Sequence, residues 1–402
     1  MTSTYSTDIA IFGGGIAGLW LLNRFQAAGY ETILLESASL GEAQTLASQG
    51  IIHGGLKYAL SGSLTKSADT IAGMPQRWRQ CLAGDDEVDL TGCRILSDDY
   101  YMWSDAGIRS KLKTFFGSKS LQGRVETVQA DQYPPVFQQS TIKGSLYKLP
   151  DFVVDTGSLL EVLSSRHKER IFHLGTCPYS FEQDESGQVS TVTVSNGERK
   201  IVIKPQRFIF AAGKGNQGLI ENAELSSVQS QLRPLKMTYL KCAELPRIFV
   251  HCIGDNFSLT PKLTITSHSD SHGDTVWYLG GELAESGVNR SDHEQILEAK
   301  KLLASLFPWI DLSSSSWNCF DIDRAEANVG NNYRPEGAFF KEEDKCIVAW
   351  PTKLTLSPSL ADKLLDHFVE YNIQPSLHSP LVDLQAILEP ASLATDYWER
   401  EN

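Results

Sequence analysis

A chain of 402 residues is long for one compact core, so two interleaved domains are the natural expectation. With 41% hydrophobic and 21% charged residues the composition is that of a soluble globular protein, and the longest apolar runs (residues 9–12 and 207–212) are far too short to span a bilayer. A net charge of −13 argues against a nucleic-acid partner, while seven cysteines without a C-x-x-C pair suggest a reduced, cytoplasmic chain with neither a disulfide framework nor a metal site.

Residues 1–7 are polar, lack the charged start and apolar core of a secretory signal, and lead at once into an apolar strand at 8–12. That strand runs into Gly13-Gly14-Gly15-Ile16-Ala17-Gly18. A helix over 16–28 follows, with Leu19, Leu22 and Phe25 on a helical period and Gly29 placed to end it. A second apolar strand, 32–35, ends on Glu36, with Ser37 beside it. Strand, GxGxxG, helix, strand and acid together are the fingerprint of an adenine dinucleotide site. Gly13 permits the tight turn, Gly15 lets the backbone approach a pyrophosphate, and Gly18 lets helix pack on strand. The N–H groups of Ile16 and Ala17 open the helix, where its dipole favours phosphate charge. A carboxylate at Glu36 suits a ribose diol and disfavours a 2′-phosphate, so FAD or NAD is expected before NADP.

Residues 41–63 are rich in Gly, Ser and Thr and read as a loop with short helical turns. Its hydroxyls and glycines, Thr45, Ser48, Gly50 and Gly54, suit phosphate and ring contacts through backbone N–H groups. Helical spacing resumes over 64–82, and 100–103 is a short aromatic strand. Residues 109–124 are basic (Arg109, Lys111, Lys113, Lys119, Arg124) and hold Phe115-Phe116, a solvated face or a peripheral contact with anionic lipid or protein. A helix over 156–167 has Asp155 or Thr156 as its N-cap. Residues 189–194 and 200–203 form a hairpin about Asn196-Gly197, and a buried strand over 207–212 ends in Gly213. Long alternating strands are expected at 236–243, 259–266 and 275–279, then a helix at 293–307. The chain closes with a strand at 346–350 and a helix from Pro358 to about 371, with Ser357 as N-cap and Asp362 adding acid in the first turn.

The segment Ser48-Gln49-Gly50-Ile51-Ile52-His53-Gly54-Gly55-Leu56-Lys57-Tyr58, set after a dinucleotide turn, resembles the flavin dehydrogenases acting on glycerol 3-phosphate and, more loosely, the L-2-hydroxyglutarate oxidases. Both belong to the D-amino-acid-oxidase-like superfamily. The resemblance continues through Phe208-Ile209-Phe210-Ala211-Ala212-Gly213, similar to the strand that returns under the adenine half of FAD, and through Leu354-Thr355-Leu356-Ser357-Pro358, similar to the segment that closes the flavin site. It implies an α/β fold, a Rossmann-like FAD-binding domain with an inserted antiparallel-sheet substrate domain. The expected division is 1–82, 150–225 and 322–375 for FAD, 83–149 and 226–321 for substrate, and a tail at 376–402.

The resemblance also implies that residues 45–55, including Thr45, Ser48, Gln49, Gly50 and Gly54, line the pyrophosphate and isoalloxazine, with His53 near the ring. A histidine in this region is bonded covalently to the flavin in some relatives. Ala212 and Gly213 would meet the adenine half, and Lys353, Leu354 and Thr355 the flavin. Many relatives carry a Gly-His-Gly run where this chain has Trp350-Pro351-Thr352-Lys353, so Lys353 is either solvated or a positive charge near flavin or substrate. Arg334-Pro335 is similar to an Arg-Pro whose guanidinium holds a substrate carboxylate, with Tyr333 in support. Arg324 is either a second substrate-side arginine or, among its acidic neighbours, part of a structural ion pair, and Arg233-Pro234-Leu235-Lys236 resembles the strand that enters the substrate domain in relatives.

The expected activity is FAD-dependent removal of a hydride from a carbon bearing an amine or hydroxyl in a small anionic substrate, with His53, Arg334 and Lys353 catalytic. Oxygen, a quinone or a protein would take the electrons. An NAD-dependent dehydrogenase shares the opening turn but does not explain the His-Gly-Gly loop or the closing helix. A non-catalytic FAD-binding protein would show the same fingerprint without turnover.

Overall fold

The computed structural model describes residues 2–55, 66–105, 125–140, 144–253, 261–330, 335–376 and 380–400. The expected strand at 8–12 is the buried end of a longer strand, β1 (Thr2–Phe12). Gly13, at φ +109°, turns the chain into helix α1 (Ile16–Ala27), which returns as β2 (Thr32–Glu36). Three further parallel strands complete the centre: β3 (Ile171–His173) beside β2, β4 (Lys200–Phe210) beside β1, and β5 (Cys346–Trp350) beside the end of β4. Every residue of β5 is buried, as expected for a parallel strand covered on both faces. Period-two alternation sorts β1 between two cores, Ile9 and Ile11 to one, Ala10 and Phe12 to the other.

The Ile9 face carries four helices: α1, α2 (Lys66–Ala83), α3 (Thr156–Ser165) and α4 (Ser357–Glu370). Trp20 packs on Trp78 at 4.8 Å between ring centroids, and Phe25 on Phe368 at 4.8 Å. Asp155 caps α3 by accepting from Ser158 N at 2.7 Å. The opposite core holds the strands Tyr179–Gln183 and Val189–Ser195, and the turn from the second of them into β4 has Gly197 at φ +93°. The hairpin's return strand and the strand expected at 207–212 form one continuous element, β4, because residues 200–205 pair with β1 all along.

A second sheet of eight strands runs in the order Ser316–Ala327, Ser230–Cys242, Thr275–Gly280, Leu263–Ser269, Val250–Ile253, Tyr100–Asp105, Gly144–Leu149 and Glu126–Thr127. The expected strand at 259–266 begins at Leu263, and residues 259–260 lie outside the described residues. The helix Asp292–Leu306 behind this sheet opens with a capping box, Ser291 and Glu294. The division expected at 322 falls inside the strand Ser316–Ala327, and Glu389–Pro390, expected in the tail, adds an edge strand to β3. The basic stretch at 109–124 lies outside the described residues. No described helix is long and apolar enough to cross a membrane.

A third, small sheet joins Ile51–Ile52 and Ile95–Ser97 to Phe152–Val154. Its antiparallel register sets Ile52 against Phe152. The next residues outward are His53 and Asp151.

Candidate active site

A cavity of about 700 Å³ opens at the carboxyl ends of β1, β2, β4 and β5, the position where open parallel sheets bind nucleotides. Gly13, Gly15, Ile16, Ala17, Glu36, Ser37, Thr45, Ser48, Ala212, Gly213, Lys353 and Leu354 all line it. Gly18, Gln49, Gly50, His53, Gly54 and Thr355 are outside that lining, and most of them have defined structural tasks behind it.

The turn is made by close backbone approach. A methyl on Gly13 would overlap the Ala212 backbone, and one on Gly18 would overlap the carbonyl of Gly13. Glu36 accepts a hydrogen bond from Gly14 N, and its other oxygen accepts from Ala38 N at 2.7 Å. Thr45 Oγ1 accepts from Ile16 N at 2.9 Å, capping α1 from outside the helix. Asn216, fully buried, accepts from Ala212 N at 2.8 Å and donates to Ala349 O at 3.4 Å, holding the ends of β4 and β5 together.

Gln49 points away from the cavity and docks on the second sheet, donating to Tyr278 O at 2.9 Å. Tyr278 answers by donating to Ala47 O at 2.7 Å. Gly50 sits at φ +69° where a methyl would overlap Val154 O, and its carbonyl accepts from Val154 N at 2.9 Å. These contacts fix the loop that ends in His53.

The closing segment departs from its expected caps. Leu356 is the N-cap of α4, and Ser357, already helical, donates its hydroxyl to Leu354 O at 2.9 Å. Asp362 is not in the first turn and instead pairs with Arg77 of α2. Thr352 takes φ +62°, a left-handed conformation costly for a β-branched residue and easy for glycine. Thr355, fully buried, accepts at its carbonyl from Trp78 Nε1 at 3.0 Å and donates its hydroxyl to His53 O at 3.4 Å.

His53 is half-buried, with Nδ1 3.5 Å from Oδ2 of the buried Asp151. Asp151 Oδ1 accepts from Gly54 N at 2.7 Å. His251 lies nearly parallel to His53, 6.0 Å between centroids and 5° between planes. Its Nδ1 is 3.0 Å from Thr264 Oγ1 and 3.3 Å from the Tyr100 hydroxyl, which burial first, and Asp151 second, hold in the protonated form.

Arg334 and Tyr333 lie outside the described residues. Arg324 pairs with Glu285 at 3.2 Å. Arg233 pairs with Glu326, and Lys236 is buried between Asp292 and Asp321. Sequence reasoning missed Asp151, His251 and Asn216, and also Tyr397 and Arg400, which reach the cavity from the chain's end. Only Tyr397, beside Trp398 in a polar tail, carried a signal, an aromatic pair with no strand or helix to explain it.

The cavity suits FAD on its own chemistry. Its turn leaves no room for a Cβ at Gly13 or Gly18, where the backbones of Ala212 and Gly13 come close, and two donors in its lining, Ser48 Oγ and Trp350 Nε1, have no partner among the described residues. Residues 8–337 match the family described as DAO, FAD dependent oxidoreductase. The chain is 42% identical over 394 residues, 97% of its length and 98% of the other's, to a probable FAD-dependent oxidoreductase of Pseudomonas aeruginosa. The crystal structure of an FAD dependent oxidoreductase from Pseudomonas aeruginosa superposes with a TM-score of 0.84 at 37% identity, covering 99% of both chains. Dithionite-reduced L-α-glycerophosphate oxidase from Mycoplasma pneumoniae, with FAD bound, shares the fold at TM-score 0.64 and 13% identity, over 90% of this chain and 94% of that one. Glycine oxidase from Geobacillus kaustophilus does so at TM-score 0.63 and 15% identity, with the same coverage. A turn built for a dinucleotide, buried donors waiting on its ligand and a family match over most of the length agree: this chain belongs to the DAO family of FAD-dependent oxidoreductases.

Proposed function

We propose that this FAD-dependent oxidoreductase removes a hydride from the carbon bearing a hydroxyl or amine in a small anionic substrate. The observation that carries this reading is the hydrogen bond from Thr355 Oγ1 to His53 O. It ties the His53 loop to residues 353–356, where Lys353 and Leu354 line the cavity. An ammonium group in the cavity lining, at Lys353, and an imidazole on the loop tied to the same segment, at His53, suit an anion anchor and a proton acceptor. FAD, when bound, supplies the two-electron acceptor. A neutral amine needs no strong base, since its lone pair drives hydride loss. An alcohol gains from a base for its hydroxyl proton, and His53 takes that role here. Lys353 holds the substrate's carboxylate or phosphate, and Arg334 is kept as a second anchor on its likeness to the Arg-Pro of related oxidases. Neighbouring folds named for glycine and for α-glycerophosphate leave both donor types open.

The test is anaerobic addition of glycerol 3-phosphate, 2-hydroxy acids and amino acids to the yellow holoenzyme while its visible absorbance is followed. Bleaching by one class identifies the donor, and the rate of reoxidation by air or a quinone identifies the acceptor. A spectrum unmoved by every anionic donor would refute the reading.

A further inference from the structure

We propose that Asp151 is a positioning residue that fixes the tautomer and orientation of His53, so that Nε2 is left unprotonated to accept the substrate's hydroxyl proton. The proposal rests on the reading of His53 as the base and adds a residue nothing in the sequence singled out. Two separate contacts hold the carboxylate. Oδ1 receives Gly54 N at 2.7 Å and Oδ2 faces His53 Nδ1 at 3.5 Å. The backbone dictates the pairing, because the register of Ile52 with Phe152 brings the residues just outside the small sheet together. Asp151 is 3% exposed, so its charge acts in a poorly screened setting.

Of the two neutral tautomers, a carboxylate facing Nδ1 favours the one with its proton on Nδ1 and a lone pair on Nε2, the arrangement a general base requires. In the step so served, the substrate's O–H and C–H bonds break and a C=O bond forms. His53 Nε2 would take the proton, and FAD, when bound, would supply the acceptor for the hydride with both electrons. The neighbouring His251 completes a group whose nitrogen and oxygen atoms lie within 4.8 Å of one another. Two imidazoles and a carboxylate can also chelate a divalent ion. The test therefore has to separate a proton-positioning role from a metal site.

Asp151→Asn is the informative variant because its carbonyl still accepts from Gly54 N, while an amide donor now faces His53 Nδ1 and drives the proton to Nε2. Holoenzyme labelled with 15N-histidine is compared by two-bond proton–nitrogen correlation, the His53 signal being identified by its loss in His53→Gln. The expected result is an Nδ1–H tautomer in wild type and Nε2–H in D151N. With glycerol 3-phosphate or a 2-hydroxy acid as donor, D151N should lower the rate of flavin bleaching about a hundredfold with KM changed little, and Asp151→Glu should recover part of it. An unchanged tautomer overturns the proposal whatever the substrate. A changed tautomer with unchanged bleaching by the hydroxy donor overturns it too, and so does stoichiometric zinc in the purified holoenzyme that is lost in D151N. Reduction of wild type by amino acids alone overturns the alcohol reading. That failure is distinguishable, because the tautomer is measured with no substrate present.

Discussion

The dinucleotide turn and the His53 cluster are made of different material. The turn is backbone: glycines without room for a Cβ, N–H groups at a helix start, and two carbonyl-terminated strands cross-tied by Asn216. The cluster is side chains carried by elements far apart in sequence, His53, Asp151 and His251, with Thr355 bonded to the His53 carbonyl. Backbone recognition tolerates no substitution at a few positions and binds one cofactor. Side-chain recognition is replaceable piece by piece, and that is where relatives of one fold come to differ in substrate.

The largest effect that would sharpen this contrast is at the turn. Gly13→Ala puts a methyl into the Ala212 backbone at φ +109°, and neither can yield. The expected outcome is a colourless protein, with FAD affinity down by a hundredfold or more in a fluorescence titration. A yellow Gly13→Ala would break the claim that backbone approach defines this end.

At the other end the loss should be chemical. His53→Gln should keep its FAD yet bleach with a hydroxy donor on the order of 10²–10³ times more slowly, the usual worth of a positioned base. Bleaching at the wild-type rate would exclude His53 as the base. Lys353→Met should act on binding instead, raising KM for an anionic donor about tenfold, as losing one charge-assisted contact does, with a smaller change in kcat. A kcat loss without a KM change would move Lys353 from anchor to chemistry.

The same contrast explains what was legible in the sequence. The turn from Gly13 to Gly18 and its acid at Glu36 are local, and every role they play is set by neighbours within one strand–helix–strand unit. Thr45 and Ser48 follow from hydroxyls set among glycines, Lys353 and Leu354 from the resemblance, and all four line the cavity. Gln49 was given to the cofactor because it sits in the same motif. Its side chain instead goes to Tyr278, a partner fixed by packing between two sheets, which no local pattern encodes. Asp151 was invisible for the same reason. It meets His53 only because two strands about a hundred residues apart pair in one register, and a slip of one residue would turn it away. Ser357 looked like a cap by its place before Pro358, but a 3-10 turn at Leu354–Leu356 starts the helix earlier and leaves the hydroxyl to donate.

The chain's end, absent from the sequence-based site, offers the smallest effect. Tyr397 stacks on Phe320 at 3.8 Å and donates to Glu42 O at 3.0 Å, and Arg400 lies over the Tyr397 ring at 3.9 Å, so the tail is strapped across the cavity's edge. Asp396 begins this strap with Oδ1 buried and without a partner among the described residues. Burial, helped by Asp155 and Glu399, pushes its carboxyl from 3.8 up to about 6. A raised carboxyl favours the folded state while protonated, so its contribution is full below about pH 4 and is lost as pH rises through 6. The shift corresponds to at most about 3 kcal/mol, and partial exposure reduces that to roughly 1–2 kcal/mol. His268, which packs on Trp398 of the same strap at 4.7 Å, works in the opposite sense. Burial lowers it from 6.5 to about 4, so its contribution is lost as pH falls between those values. The two partly cancel in wild type, and only the difference between variant and wild type isolates Asp396. Asp396→Asn should therefore unfold a few degrees higher than wild type at pH 7.5 and at the same temperature at pH 4, read from release of flavin fluorescence. A gain of equal size at both pH values would mean that the amide had found a partner, not that a buried charge had been removed.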